Sequence, residues 1–170
     1  KKIITTCPHC FNIFKNEYPD LGGSYEVINY LQFLNRHAEE GRLSINAGSL
    51  KGKTVTYHDP CYLGRANEVY NEPRALLNRL TGGFTEMERH GSFALCCGAG
   101  GAQMFKEAEK GEKEVFIERT EEALRSGAEV IASACPFCMT MLTDGIKYKN
   151  REDDVRNLDM AELIAQSLEL

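Results

Sequence analysis

Apolar and polar positions along the chain alternate between two periods. The β-branched run "IITT" (3–6) leads through a Cys-Pro-His-Cys turn into "FNIF" (11–14), where apolar residues take helical spacing. "VINYLQFLNRHAEEGRL" (27–43) reads as one amphipathic helix, "KTVTYH" (53–58) as a strand, and "EPRALLNRL" (72–80) as a helix. "FTEME" (84–88) reads as a further short strand, and 103–127 as a long amphipathic helix. "AEVIAS" (128–133) is strand-like, and "LDMAELIAQSLEL" (158–170) closes as a helix with Asp159 as its N-cap. Strand-like runs alternating with helices predict an α/β fold: a mainly parallel sheet flanked by helices.

The pattern also repeats. "IITTCPHCFNIFKNE" and "IASACPFCMTMLTDG" share one order of apolar strand, C-P-x-C turn and helix start, with Cys7 aligned to Cys135. Two copies of a supersecondary unit predict a duplication, with matching strand ends related by a pseudo-twofold operation. Breaks at "PDLGGSYE" (19–26) and "INAGSLKGK" (45–53) interrupt the pattern. They place a boundary near Ser49, between a unit at 1–49 and a unit at 50–170.

Composition narrows the function. With 170 residues, 42% of them hydrophobic, the chain can bury one full core. A formal net charge of −5 and the lack of a Lys/Arg stripe argue against nucleic acid as a partner. No apolar run approaches the roughly 18 residues that span a bilayer, and no signal-like segment opens the chain, so no membrane insertion by this segment is expected. Seven cysteines is a high and odd count, a poor fit to a secreted disulfide framework. Their clustering points to ligands in a reducing compartment, the cytoplasm.

Five of them form one motif, C-x34-C-C-G-x36-C-P-x-C, from Cys61 through Cys96, Cys97 and Gly98 to Cys135 and Cys138. Loops at the C-terminal edge of a parallel sheet, where such folds bind ligands, would bring them together. Adjacent cysteines diverge in extended backbone and suit a cluster of several metals better than one mononuclear ion. Gly98, Gly100 and Gly101 let the backbone approach an inorganic core closely. The opening Cys7/Cys10 pair is less specific. A C-x2-C at a helix start serves a thioredoxin-like dithiol as readily as a zinc or iron site.

"HDPCYLGR", "CCGAGG" and "ACPFCMTML" resemble the cysteine-rich CCG domain of the heterodisulfide reductase-related iron-sulfur oxidoreductases. The resemblance makes 52–170 a complete second repeat and 1–49 the last third of a first. It implies electron transfer and a [4Fe-4S] cluster, noncubane in form, on Cys61, Cys96, Cys97, Cys135 and Cys138, with Gly98 beside it; other members of the family bind zinc. Cys7 and Cys10 would be the final pair of a first metal site whose other cysteines lie upstream in a longer chain. Larger relatives imply an upstream ferredoxin-like domain, a redox partner such as a flavoprotein, and peripheral attachment to the inner membrane through the parent protein.

Other residues carry two readings each. His58 and Asp59 either orient a ligand, donate to cluster sulfur or move a proton, or Asp59 simply caps a turn. His9 reads as a non-ligand, because Phe137 holds its place in the second copy. Arg65 either balances site charge or is solvated. The charges of 106–125 read as an exposed helix face. Three functions therefore compete: an iron-sulfur oxidoreductase module, a zinc-stabilised structural domain of a redox complex, and a thioredoxin-like thiol-disulfide oxidoreductase.

Overall fold

Strand β1 (Lys2–Thr5) ends two residues before Cys7, and Pro8–Asn12 forms the short helix α1. The chain continues through a π-turn (Ile13–Glu17) and a 3-10 turn (Tyr18–Leu21) to a left-handed Gly22. The computed structural model describes residues 1–46, 50–108 and 110–168, so the boundary expected near Ser49 lies outside the described residues.

The next stretch corrects the single helix expected over 27–43. It divides into strand β2 (Glu26–Asn29) and helix α2 (Tyr30–Glu39). Asn29 causes the break: its extended backbone and its side chain, bonded to the Leu31 N–H, form a capping box with Gln32. Strand β3 (Val55–Tyr57) and helix α3 (Asn71–Thr81) follow. The short strand expected at 84–88 is reduced to one bridge between Thr85 and Thr56. The long helix expected over 103–127 is confined to α4 (Val115–Arg125), after a 3-10 turn at Gly100–Phe105. Residues 106–114 explain the loss, since they offer only Ala108 as an apolar side chain to bury, and helices in proteins depend on such a face.

Strand β4 (Val130–Ser133), helix α5 (Pro136–Tyr148), strand β5 (Arg156–Asp159) and helix α6 (Met160–Ser167) complete the chain. Strand β5 is too short and polar to show in the sequence. Asp159 caps α6 as expected, again with a capping box.

The fold is α/β with parallel strands throughout. They form two small sheets rather than the one expected: β1-β2, and β3-β4-β5 with β4 in the centre. Alternation along β4 sends Val130 and Ala132 into one core and Ile131 into another on the opposite face. The first core also takes Phe11, Tyr30 and Leu31, so the segments before and after residues 47–49 share it. Helices α4 and α5 pack so closely that a Cβ on Gly145 would collide with the Thr120 side chain.

Candidate functional site

Strands β3 and β4 are parallel neighbours, so the chain leaves both at the same edge. From β3 it runs through His58, Asp59 and Pro60 to Cys61; from β4 it reaches Cys135, and Pro136 opens α5 at a position that needs no N–H donor. Cys96 and Cys97 arrive from the connection between α3 and α4. Asp59 anchors that connection. Its carboxylate accepts a two-pronged bond from Arg74 of α3 (2.8 and 2.9 Å) and the Gly91 N–H (2.8 Å). Burial opposes its ionisation, but the Arg74 and Gly91 bonds outweigh this and hold its carboxyl below the usual range. Arg74 also grips Glu86, and Arg89 bonds Glu122 and Glu118 of α4.

Cys61, Cys96, Cys97, Cys135 and Cys138 line one cavity, walled by His9, Tyr62 and Phe137. Their thiols shift one another's ionisation in series, Cys61 with Cys96, Cys96 with Cys97, Cys97 with Cys138 and Cys138 with Cys135. The neighbouring Cys61 and Cys97 thiols, with the Gly98 N–H 3.4 Å from the Cys96 sulfur, hold Cys96 far below the ordinary thiol range. Donation to that thiolate, together with burial, pushes Cys61 far up. Cys138 pulls Cys97 down, but its own bond to Cys96 and burial prevail and push it up to about 11. None of the seven cysteines is in a disulfide. Gly98 is required by its backbone: its φ is +90°, and a Cβ would come within 3.0 Å of the Phe116 nitrogen.

The sequence reading missed the support behind this cavity. Arg119 is fully buried and Glu122 nearly so, which corrects the exposed face expected for this helix. Arg119 donates from Nε to His58 Nδ1 (2.9 Å) and from Nη1 to Glu122 (3.0 Å) and the Arg89 carbonyl (2.8 Å). The available signal was spacing: Arg119 stands one turn before Ala123, on the buried side of α4. Burial, and then the Arg119 charge, push the His58 pKa down to about 3. A ring nitrogen of His58 and the sulfurs of Cys97 and Cys138 lie within 4.8 Å of one another.

Cys7 and Cys10 do not line the cavity. Cys7 is half-buried and Cys10 exposed, and burial pushes the Cys7 thiol up, opposite to the activation a catalytic dithiol needs. His9 links their turn to the second. Its Nδ1 contacts the sulfurs of Cys7 and Cys135, each at 3.9 Å, and its ring meets Phe137 edge-on at 4.8 Å. Arg65 is exposed, close enough to Cys61 for its charge to be felt.

The family model described as a CCG cysteine-rich domain matches residues 55–143. The chain is 46% identical over 169 residues to the probable iron-sulfur-binding oxidoreductase FadF of Bacillus subtilis, covering 99% of this chain and 24% of that protein. It is 40% identical over 175 residues to the EtfAB:quinone oxidoreductase of Syntrophomonas wolfei, covering 99% and 24%. It is 36% identical over 178 residues to one subunit of the dihydromethanophenazine:CoB--CoM heterodisulfide reductase of Methanosarcina barkeri, covering 100% and 41%. The chain thus spans well under half the length of each of these relatives. Since the match runs from β3 into α5 and takes in all three cysteine loops, the chain belongs to the CCG family of cysteine-rich domains.

Proposed function

We propose that this chain is the cluster-bearing, electron-transferring segment of a longer iron-sulfur oxidoreductase of the heterodisulfide reductase type. In this reading Cys61, Cys96, Cys97, Cys135 and Cys138 hold one [4Fe-4S] cluster, noncubane in form. The observation that carries it is the convergence of these five cysteines, from three separate loops, on one cavity. The donor set fits: thiolates are the usual ligands of iron-sulfur clusters, and five exceed the four positions of a structural zinc. The relatives' names lend zinc no support. A bound cluster supplies a one-electron carrier. The protein holds the Cys96-Cys97 loop through Asp59 and Arg74, aims the Gly98 N–H at sulfur, and shields the buried side with Phe116 and Met141.

Cys7 and Cys10 fit as the final pair of a second metal site, completed by cysteines of a first CCG repeat in the longer chain. Matching local architecture supports the duplication. In both copies a strand, a C-P-x-C turn and a helix lead to a parallel partner strand, and both strand pairs end at a capping-box residue: Thr5 opposite Asn29, and Ser133 opposite Asp159. A flavoprotein as redox partner and an upstream ferredoxin-like segment complete the reading, the EtfAB:quinone oxidoreductase being the relative that suggests the first. No helix among the described residues is long and apolar enough to cross a membrane, which accords with peripheral attachment through the longer protein.

Anaerobic reconstitution of the chain with ferrous iron and sulfide, followed by metal analysis and absorption and paramagnetic resonance spectra, tests this. Iron and sulfide in equal amounts, roughly four of each per chain, are expected. One tightly held zinc with no iron uptake would instead establish the structural-zinc reading.

A further inference from the structure

We infer that His58 is a hydrogen-bond donor to sulfur at the five-cysteine site, held in that role by Arg119 and Glu122, and is not one of its metal ligands. The argument rests on which proton sits where. The Arg119 Nε carries a hydrogen and no available lone pair, so it can only donate. Its bond to His58 Nδ1, at 2.9 Å, therefore requires the lone pair on Nδ1. A neutral imidazole with an acceptor Nδ1 carries its proton on Nε2.

That Nε2 is buried and has no hydrogen-bond partner among the described residues. The acceptors nearby are sulfurs, since those of Cys97 and Cys138 share a 4.8 Å neighbourhood with the ring. A protonated Nε2 has no lone pair to give a metal, so the proximity that suggests a Cys-Cys-His metal site describes a donor N–H beside sulfur. Arg119 cannot relax this constraint. It is fully buried, ion-paired to Glu122 at 3.0 Å, and bonded to the Arg89 carbonyl. Glu122 in turn is fixed by the Arg89 side chain. Arg119 and Glu122 are thus positioning residues that select the tautomer of His58.

The consequence for the cluster rests on the function proposed above; the tautomer does not. Hydrogen bonds to cluster sulfur raise the reduction potential, because they stabilise the added negative charge. His58 then sets the potential of the site without changing its ligand count.

The tautomer is read from nitrogen-15 histidine spectra of the reduced, metal-free chain at neutral pH, with the His58→Gln variant assigning the signal. A neutral ring protonated at Nε2 is expected; a ring protonated at Nδ1, or an imidazolium, overturns the inference without need of any variant that folds poorly. On chains reconstituted with ferrous iron and sulfide, His58→Leu should keep the wild-type iron content and shift the midpoint potential downward. His58→Gln, which retains an N–H near the place of Nε2, should recover most of the shift. Loss of iron in both variants would make His58 a ligand, and an unchanged potential in His58→Leu would remove its role as donor. Should the wild-type chain take up no iron, the proposed function fails while the spectra still decide the tautomer.

Discussion

The two C-P-x-C turns differ by one residue within the motif, His9 against Phe137, and share a strand before and a helix after. Their surroundings separate them. Cys135 and Cys138 are buried among three other cysteines, whereas Cys7 is half-buried and Cys10 faces solvent. The helices diverge too: α5 runs 13 residues on an apolar face, while α1 lasts five before the π-turn, and the 3-10 turn with Pro19 in its first turn ends at left-handed Gly22. A dithiol turn is therefore only half of a site. What it becomes is decided by the loops that neighbouring strands deliver to the same edge.

The largest expected difference between the turns is in metal uptake. After anaerobic reconstitution, Cys138→Ser should weaken iron binding by at least about tenfold, since even outer-shell changes reach that size. Cys7→Ser should leave iron near the wild-type amount; equal losses in the two variants would erase the distinction. Next comes the tether that makes the second turn's surroundings. Asp59→Asn leaves Arg74 without its buried charge partner, with only the half-buried Glu86 to pair with, and urea unfolding at neutral pH should show a loss of about 3 kcal/mol. The sign with pH follows from the depressed Asp59 carboxyl. Its contribution is fully present above the unfolded carboxyl range and is lost as pH falls through the lower folded value, so the wild type should converge on Asp59→Asn in acid. The smallest effect belongs to the exposed position: Cys10→Ser should change unfolding free energy by less than about 0.5 kcal/mol.

The spacing of Cys61, Cys96, Cys97, Cys135 and Cys138 was readable because strand-to-helix junctions and glycines leave local marks. The Asp159 cap was readable for the same reason. Strand β2 was hidden, since Val27, Ile28, Leu31 and Leu34 fit a helical period and only Asn29 signals a break. Strand β5 was hidden because Arg156, Asn157 and Asp159 are polar; the Asn157 Nδ2 donates to the Met139 carbonyl and Thr143, neither of which sequence alone brings near. The Arg119–Glu122 pair looked solvated because most helical charges are. Its burial depends on His58, which lies 61 positions away and meets it only once β3 is in place.

The stretch from Gly82 to Leu95 delivers the Cys96-Cys97 pair with little regular structure of its own. It is stapled along its length, by the Thr85 N–H to the Val55 carbonyl, Arg74 to Glu86, Arg89 to Glu122, and the Gly91 N–H to Asp59. Fixing a free backbone costs about 1–2 kcal/mol per residue in conformational entropy. Those staples place part of that cost in the folding of the protein chain, so that cofactor capture does not bear all of it. Small zinc domains stay unfolded until metal arrives; here the loop that carries the cysteine pair is held by bonds to groups outside the cysteine set, so the protein's own fold shares with any inorganic core the work of ordering it.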